Sequence, residues 1–310
     1  MKKLIATALL LAGAANAQDN EPLSREALLS NFGWDFDAVE ITTEKVDDGL
    51  YVLFGAGGNI AVSVGEQGVL IVDDMFPELM PKIEAAIAEL GGDGVDFAVN
   101  THWHFDHADG NLALGPAGTR IVAQQNSTEM MAKTNVLNMV MAKYRQEAYP
   151  EDARPAISFD DRMGFHFNGG QIDLVHVGPA HTAGDTAVIF RKHNAVHFGD
   201  VFNNAGYPFI DADSGGDIDG MIAFCQSVLD EIAPDATVIP GHGPIVGTAE
   251  LKAYIEMLTT VRDRVAEMVA EGKSMEEVIA AKPTADFDET YGPEGQSLGF
   301  VNRVYTSLTK

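Results

Sequence analysis

The sequence predicts an α/β fold made of two similar halves. Each half contains several short strand-like stretches and a helix, and each ends its sheet with a short apolar strand that runs into histidine. These closing strands are residues 95–100 and 237–239. Because ligand sites in α/β architectures form beyond the carboxyl ends of strands, two halves that face each other would bring both strand ends to one edge.

The first half opens with a meander of strands separated by glycine-rich turns. Its four strand-like stretches are residues 39–43, 50–54, 59–64 and 68–72. The fourth stretch leads directly into Asp73 and Asp74. Residues 77–90 follow as an amphipathic helix, which Gly91 and Gly92 end.

A long helix is predicted over residues 126–148, where Asn126 and Glu129 have the spacing of a capping box. Its four methionines, at positions 130, 131, 139 and 141, fit either ordinary core packing or an adaptable wall beside a substrate cleft. Residues 149–161 contain two prolines and are predicted to form a loop.

The second half repeats this order of predicted strands, helix and closing strand. Its predicted strands before the closing one are residues 165–167, 171–177, 186–191 and 194–198. A helix is predicted over residues 219–231. Residues 249–310 are predicted to be a helical region packed on the domain, with helices at 249–271 and 274–281 and a further turn near the C-terminus. No Pro/Gly/Ser linker divides the chain, so residues 18–310 are expected to form one domain.

Residues 1–17 have the features of a cleaved secretory signal peptide. Two lysines precede an apolar run from Leu4 to Ala12, and Ala15 and Ala17 complete a small-residue cleavage site. The apolar run is too short to span a bilayer. We therefore expect a periplasmic or secreted protein with no membrane span, whose mature chain begins near Gln18.

The composition indicates which classes of partner to expect. The formal net charge is −26, whereas binding to nucleic acid needs a basic surface. A small-molecule substrate is the expected partner, and the sequence gives no indication of the oligomeric state. Cys225 is the sole cysteine, so no internal disulfide can form, and its apolar helical setting indicates a core residue.

The stretch T-H-W-H-F-D-H at residues 101–107 places three histidines and an aspartate within six positions. In extended backbone, His102 and His104 point the same way and can present two imidazoles to one metal ion. Asp106 and His107 lie at the turn beyond and can serve a second ion. Imidazole and carboxylate ligands suit Zn²⁺, with iron or manganese as substitutes.

Three more candidate ligands follow predicted strands downstream, namely His181, Asp200 and His242. The order of the seven candidate ligands resembles the pattern of the metallo-β-lactamase superfamily over nearly the whole mature chain. The resemblance implies an αββα sandwich, in which two mixed β-sheets pack face to face with helices outside. His197, three residues before Asp200, is expected to be a packing or surface residue instead.

The resemblance divides the seven ligands into two sets at one edge of the sheets. The first Zn²⁺ would be held by His102, His104 and His181. The second would be held by Asp106, His107 and His242, with Asp200 as the bridge. A water molecule shared by two Zn²⁺ ions ionises near neutral pH and supplies hydroxide for attack on a carbonyl. Asp106 lies beside that hydroxide and is the candidate catalytic residue, which would accept the proton of the hydroxide and pass it on.

Two further groups of residues are candidates for the site. Asp73 and Asp74 end a strand of the first sheet, and they are expected either to orient ligand histidines or only to terminate the strand. Asn203, Asn204 and Tyr207 lie in a long loop of the second half. They are expected either to donate hydrogen bonds to the substrate or to be solvated loop residues.

Three classes of function fit the ligand pattern. The first is an exported dinuclear zinc hydrolase of a cyclic amide or ester, acting on β-lactams or, alternatively, as a lactonase or a glyoxalase II-like thioesterase. Family β-lactamases commonly have Cys or Ser at the place of Asp200, whereas a bridging Asp resembles the lactonases and thioesterases. The second class is an iron-dependent oxidoreductase similar to sulfur dioxygenases. The third is a non-catalytic binding protein on the same scaffold.

Overall fold

The structure is a computed structural model that describes residues 21–292 and 294–310. The expected signal peptide lies outside the described residues. The described residues form fifteen strands and ten α-helices, numbered here in chain order. The strands are β1 Thr42–Asp47, β2 Leu50–Phe54, β3 Ile60–Gly65, β4 Gly68–Val72, β5 Phe97–Asn100, β6 Arg120–Gln124, β7 Asn135–Asn138, β8 Lys143–Gln146, β9 Ile157–Phe159, β10 Arg162–Phe167, β11 Gly170–Val175, β12 Ala187–Phe190, β13 Ala195–His197, β14 Thr237–Ile239 and β15 Val246–Gly247. The helices are α1 Arg25–Phe32, α2 Met80–Glu89, α3 Phe105–Ala108, α4 Asn111–Ala117, α5 Gln125–Met131, α6 Ile218–Glu231, α7 Thr248–Ala270, α8 Met275–Ala280, α9 Asp288–Tyr291 and α10 Glu294–Leu308.

Two mixed sheets form the centre of the fold, in the strand orders β1-β2-β3-β4-β5-β6-β9 and β10-β11-β12-β13-β14-β15. Strands β4, β5, β6 and β9 run parallel in the first sheet, and β13 and β14 run parallel in the second. The carboxyl ends of β5 and β14 lead into His102 and His242 respectively. Both sheets therefore deliver candidate ligands from strand ends.

Alternation along the strands produces three buried apolar layers. In β4, Leu70 and Val72 belong to a cluster that also contains Leu174 of the second sheet, so this layer lies between the sheets. The intervening Val69 and Ile71 pack instead with the outer helix α2. Because residues i and i+2 of a strand share one face, each central strand lines two layers. The sandwich predicted from the sequence is confirmed.

The third layer lies on the outer face of the second sheet. Helices α6, α7 and α10 cover it, and Cys225 of α6 is fully buried there, as its sequence setting predicts. Helix α10 replaces the short turn predicted near the C-terminus. Among the described residues, no helix is both long and apolar enough to cross a bilayer.

Most predicted elements are found within a few residues of their expected bounds. Strands β2, β4 and β14 have the predicted limits, and the capping box of Ser274 and Glu277 begins α8. Strand β9 lies inside the predicted loop at residues 149–161, where it pairs in parallel with β6. Its three residues are too few to show a strand pattern in the sequence.

The long helix predicted over residues 126–148 is wrong. Helix α5 ends at Met131, where the Asn135 side chain donates to the carbonyls of Met130 (2.8 Å) and Lys133 (2.9 Å). Strands β7 and β8 then form a hairpin. Distant contacts hold it, because Leu23 pairs with Tyr144 in parallel and the Gln146 amide donates to the Trp103 carbonyl. Tertiary contacts here override a local preference for helix.

The methionines of this segment also differ in their exposure to solvent. Met131 is buried, whereas Met141 is 76 % exposed at the tip of the hairpin. The proposed capping box is absent as well, because Gln124 caps α5 by accepting from the Asn126 backbone N–H at 2.5 Å. The segment therefore combines a core residue with an exposed apolar tip rather than forming one helical face.

Asn59 connects the two halves at the edge that carries the candidate ligands. Its backbone N–H donates to the Gly241 carbonyl at 2.7 Å. Its side-chain amide donates to the carbonyls of Pro240 (2.9 Å) and Gly243 (2.8 Å), on both sides of His242. The Asn59 carbonyl accepts from Nε2 of the buried His197 at 3.0 Å, which confirms His197 as a packing residue.

We predict that Asn59→Ala lowers the free energy of unfolding of the metal-free protein by about 2 kcal/mol or more, because buried carbonyls then lose their donor. Urea denaturation measures the change. The matched control is Asn31→Ala on the exposed surface of α1, which should change stability by no more than about 0.5 kcal/mol. Equal stability losses in the two variants would contradict this role of Asn59.

Candidate metal centre

The histidine-rich stretch bends from strand to helix at His104. Strand β5 ends at Asn100, and His104 precedes the single turn of α3 with extended backbone. His102 and His104 thus lie on extended chain, whereas Asp106 and His107 lie on the helical turn. This change of conformation lets neighbouring residues serve two separate points, as the sequence predicts.

Three buried histidines converge at the first point. His102, His104 and His181, here called the first trio, have ligand-capable nitrogens that all lie within 4.8 Å of one another. His104 Nδ1 is 2.9 Å from His181 Nε2. No acidic side chain belongs to this trio, so it offers three imidazole nitrogens.

Each imidazole of the first trio is held by a partner on its outer nitrogen. His102 Nδ1 lies 3.0 Å from the Thr101 hydroxyl, and His181 Nδ1 lies 2.7 Å from the Phe209 carbonyl. His104 Nε2 lies 3.2 Å from the buried Asp211 carboxylate. These contacts leave the opposite nitrogen of each ring facing the other two. His102 Nε2 is buried without a hydrogen-bond partner.

The second point gathers Asp106, His107 and His242, here called the second trio. His242 Nε2 is 3.2 Å from Asp106 Oδ2 and 3.1 Å from His107 Nε2. The other ring nitrogen of His107 lies 2.7 Å from Asp73 Oδ2, which orients the ring with Nε2 inward.

Asp200 lies between the two trios. Its Oδ1 is 3.1 Å from His107 Nε2 and 3.4 Å from His242 Nε2, without the alignment of a hydrogen bond. Its Oδ2 is 3.8 Å from His181 Nε2. Gly241 packs against this carboxylate so closely that a Cβ at position 241 would overlap Asp200 Oδ1.

The electrostatics of the two trios differ. Burial lowers the pKa of His102 well below its usual range and also lowers the pKa of His181, so both rings are neutral at pH 7. Against the effect of burial, Asp200 and Asp106 raise the pKa of His107 well above its usual range. They likewise raise the pKa of His242 to about 10. The protonated rings of His107 and His242 therefore balance the negative charges of Asp106 and Asp200.

These features fit divalent metal ions. The first trio presents three imidazole nitrogens, one of them buried without a partner, and nitrogen donors of this kind suit zinc. The second trio and Asp200 hold carboxylate charge that a cation would balance in place of protons. The residues present can therefore hold two ions with Asp200 between them.

The other predicted site residues lie at different distances from the two trios. Asp73 contacts His107, whereas the fully buried Asp74 accepts from the Asn100 amide at 3.1 Å and touches no ligand side chain through a hydrogen bond. Asn204 donates through its backbone to the His242 carbonyl, so it lies beside the second trio. Its substrate contact stays a prediction.

Tyr207 contacts the C-terminal helical region, and its substrate contact stays a prediction. Its buried hydroxyl lies 2.8 Å from Asp288 Oδ1 and 3.2 Å from the Thr284 carbonyl, in the C-terminal helical region. Asn203 contributes to the turn of the same loop, because its Oδ1 accepts from the Ala205 N–H at 2.8 Å.

Sequence reasoning missed the roles of Asp211 and Phe209. Asp211 lies in an aspartate-rich loop, and no local pattern marks it as the partner of a histidine more than a hundred positions earlier. The partly exposed Phe209 ring lies 5.8 Å from the His181 ring and 6.1 Å from the His104 ring, so it forms an aromatic wall beside the first trio.

Comparison with known proteins identifies the family. The model of the metallo-β-lactamase superfamily matches residues 53–249, more than half of the chain, and the protein belongs to this superfamily of metal-dependent hydrolases. A search of curated proteins gave no match.

Solved structures show the same fold. A metallo-β-lactamase from Pontibacter korlensis has 17 % identity and a TM-score of 0.56, and the match covers 71 % of this chain and 99 % of the other. The DIM-1 metallo-β-lactamase has 20 % identity and a TM-score of 0.56, with coverage of 72 % and 99 %. At this level of identity the likeness establishes the fold alone.

We predict that Gly58→Ala selectively weakens metal binding at the second trio. A Cβ at position 58 would overlap the His107 ring, which is fully buried and has little room to move. Metal affinity at the second trio should fall by about tenfold or more, as for loss of an orienting contact, while that at the first trio is retained. Competition with a chromophoric chelator measures both affinities.

The matched control is Gly299→Ala in α10, where the added methyl meets no atom within 4 Å. This variant should keep the metal affinities of both trios and gain slight stability, because alanine is the better helix former. A Gly58→Ala protein with unchanged metal affinities would show that His107 tolerates the displacement or does not bind a metal ion.

Proposed function

We propose that the protein is an exported dinuclear zinc hydrolase that cleaves a cyclic amide or ester bond. The observation that carries the proposal is the position of Asp200, whose two oxygens lie near His107 of one trio and His181 of the other. A carboxylate within reach of both trios suits a pair of ions that share ligands.

The chain itself prepares the reaction by fixing its ligands in advance. When bound, two divalent ions polarise a scissile carbonyl and lower the pKa of a water molecule. Thr101, Phe209 and Asp211 keep the first trio in the tautomers that turn a lone pair inward. Asp106 is partly exposed, with a side chain 16 % accessible, so its carboxylate can accept a proton at the attack point.

Two substrate classes follow from different observations. The similar solved structures are named as metallo-β-lactamases, which favours a β-lactam. The aspartate at position 200 favours a lactone or thioester instead, by its resemblance to lactonases and glyoxalase II-like thioesterases. Substrates of both classes contain a carbonyl group, which would bind between the first and the second trio.

An iron-dependent dioxygenase is the alternative from a different class. The sulfur dioxygenases with similar sites typically use one metal ion. This chain instead brings together a complete second trio of Asp106, His107 and His242. The second trio therefore supports the dinuclear hydrolase. Export rests on the signal-peptide features of residues 1–17 and on the expected mature start near Gln18.

The proposal is tested by elemental analysis of the mature protein together with hydrolysis of a chromogenic cephalosporin, a homoserine lactone and a thioester. Two zinc equivalents with cephalosporin cleavage establish the β-lactamase, and two with only lactone or thioester turnover establish the alternative hydrolase. One iron per chain without hydrolysis would overturn the proposal. Cell fractionation of the producing bacterium tests export.

We predict that Asp106→Asn lowers kcat by about 10²–10⁴-fold, because the amide can no longer accept a proton. Steady-state kinetics on the best substrate of the panel measure the loss, and thermal unfolding verifies the fold. Asp93→Asn, at an exposed loop position, is the matched control and should keep full activity. Wild-type kcat in Asp106→Asn would remove Asp106 from the mechanism.

A further inference from the structure

The C-terminal helical region, residues 249–310, begins where the match to the family model ends at residue 249. Its helices cover the outer face of the second sheet and so contribute to the core. They also contact the loop formed by residues 207–217, here called the site loop, which lies between Asp200 and α6.

The site loop holds two histidines of the first trio. The Phe209 carbonyl lies 2.7 Å from His181 Nδ1, and the Asp211 N–H donates to the His181 carbonyl at 2.9 Å. The Asp211 carboxylate lies 3.2 Å from His104 Nε2. The position of this loop therefore sets the orientation of His104 and His181.

The C-terminal helical region holds the start of the site loop through Tyr207. The Tyr207 N–H donates to the Tyr291 carbonyl at 3.1 Å, and the Tyr207 ring stacks on Phe300 of α10 with centroids 5.3 Å apart. The hydroxyl donates to Asp288, at 2.8 Å. Burial and the Asp288 carboxylate raise the pKa of Tyr207, so the hydroxyl stays protonated and remains a donor.

Two further contacts hold the middle and the end of the site loop. Arg303 of α10, with a side chain only 6 % exposed, pairs with Asp213 at 2.8 Å. Ser307, one turn further along α10, donates to Asp217 at 3.2 Å and accepts from the Ile218 N–H at 3.0 Å. Residues beyond the family match thus contact the site loop near its start, middle and end.

We propose that the C-terminal helical region is a positioning element of the first metal site. The hydrogen bond between Tyr207 and Asp288 is its principal contact, because Tyr207 lies only two residues before Phe209 and four before Asp211. Through these two residues it keeps His181 and His104 in the orientation that a metal ion needs. The inference rests on the dinuclear site proposed above.

The physical advantage of this arrangement is preorganisation. An imidazole that is already held in its binding orientation loses less conformational freedom when it takes an ion, so affinity rises. A loop without such anchors would sample other positions and move both orienting groups together. Loss of one anchoring hydrogen bond should therefore lower zinc affinity more than its effect on global stability would suggest.

The test uses the full mature protein with Tyr207→Phe, which removes the hydroxyl but keeps the stacked ring. Zinc affinities are measured by competition with a chromophoric chelator, and stability is measured by urea denaturation of the zinc-free protein. We expect about a tenfold loss in one zinc affinity, within the range for an orienting partner. The weakened zinc equivalent should be the one that Gly58→Ala leaves intact, since a Cβ at position 58 would meet the His107 ring of the second trio.

A pair of aspartates supplies the matched control. Asp288→Ala removes the acceptor of the Tyr207 hydroxyl and should reproduce Tyr207→Phe, and the double variant should lose no more zinc affinity than either single variant, because both remove one contact. Asp286→Ala, two residues away, removes a pairing with Arg264 within the C-terminal helical region. It should leave both zinc affinities unchanged.

The outcomes separate this inference from the proposed function. A wild-type protein that binds no second zinc overturns both. Two wild-type zinc equivalents with unchanged affinities in Tyr207→Phe overturn the positioning role alone. The positioning role is also overturned if Tyr207→Phe weakens the same zinc equivalent as Gly58→Ala. It is overturned as well if Asp286→Ala lowers zinc affinity as much as Asp288→Ala does.

Discussion

The arrangement of the site depends on the buried carboxylate of Asp73. Its Oδ1 accepts from the Thr101 N–H at 2.7 Å, and its Oδ2 accepts from the Thr101 hydroxyl at 2.8 Å and lies 2.7 Å from His107 Nδ1. Thr101 in turn contacts His102. One side chain therefore joins the ends of β4 and β5 and orients a histidine of each trio. Asp73 adopts a left-handed backbone conformation, with φ of 63°, and this strained geometry is maintained by the contacts around it.

The sandwich supplies the rigidity that such a site needs. The apolar layer between the sheets fixes them relative to each other, the two outer layers pack helices onto them, and Asn59 joins their edges beside His242. His102, Asp200 and His242 then follow the ends of β5, β13 and β14 within three residues. The site loop is the exception, because it has no strand to hold it. The C-terminal helices provide that support from outside the part of the chain that the family model matches.

Much of the fold could be predicted because local patterns and tertiary packing agree. Strand β4 has the predicted bounds, since its apolar residues are buried on both faces and Gly68 begins it. The helix expected over residues 126–148 was wrong for the opposite reason. Its composition favours helix, but pairing with Leu23 and contacts with Trp103 stabilise a hairpin. Those partners lie far away in sequence, so no local window contains the information.

The sequence by itself determined the identity and order of the seven candidate ligands, because dense histidines and strand-end acids are visible in the letters. It also indicated Asp73 as a strand-end carboxylate. Only the tertiary structure decided which nitrogen of each ring faces inward, because that choice depends on partners such as Asp211 and the Phe209 carbonyl. It likewise assigned Tyr207 to the support of the site loop. Hydrogen bonds between distant segments exist only once the chain has folded, so their pairing cannot be inferred from local sequence.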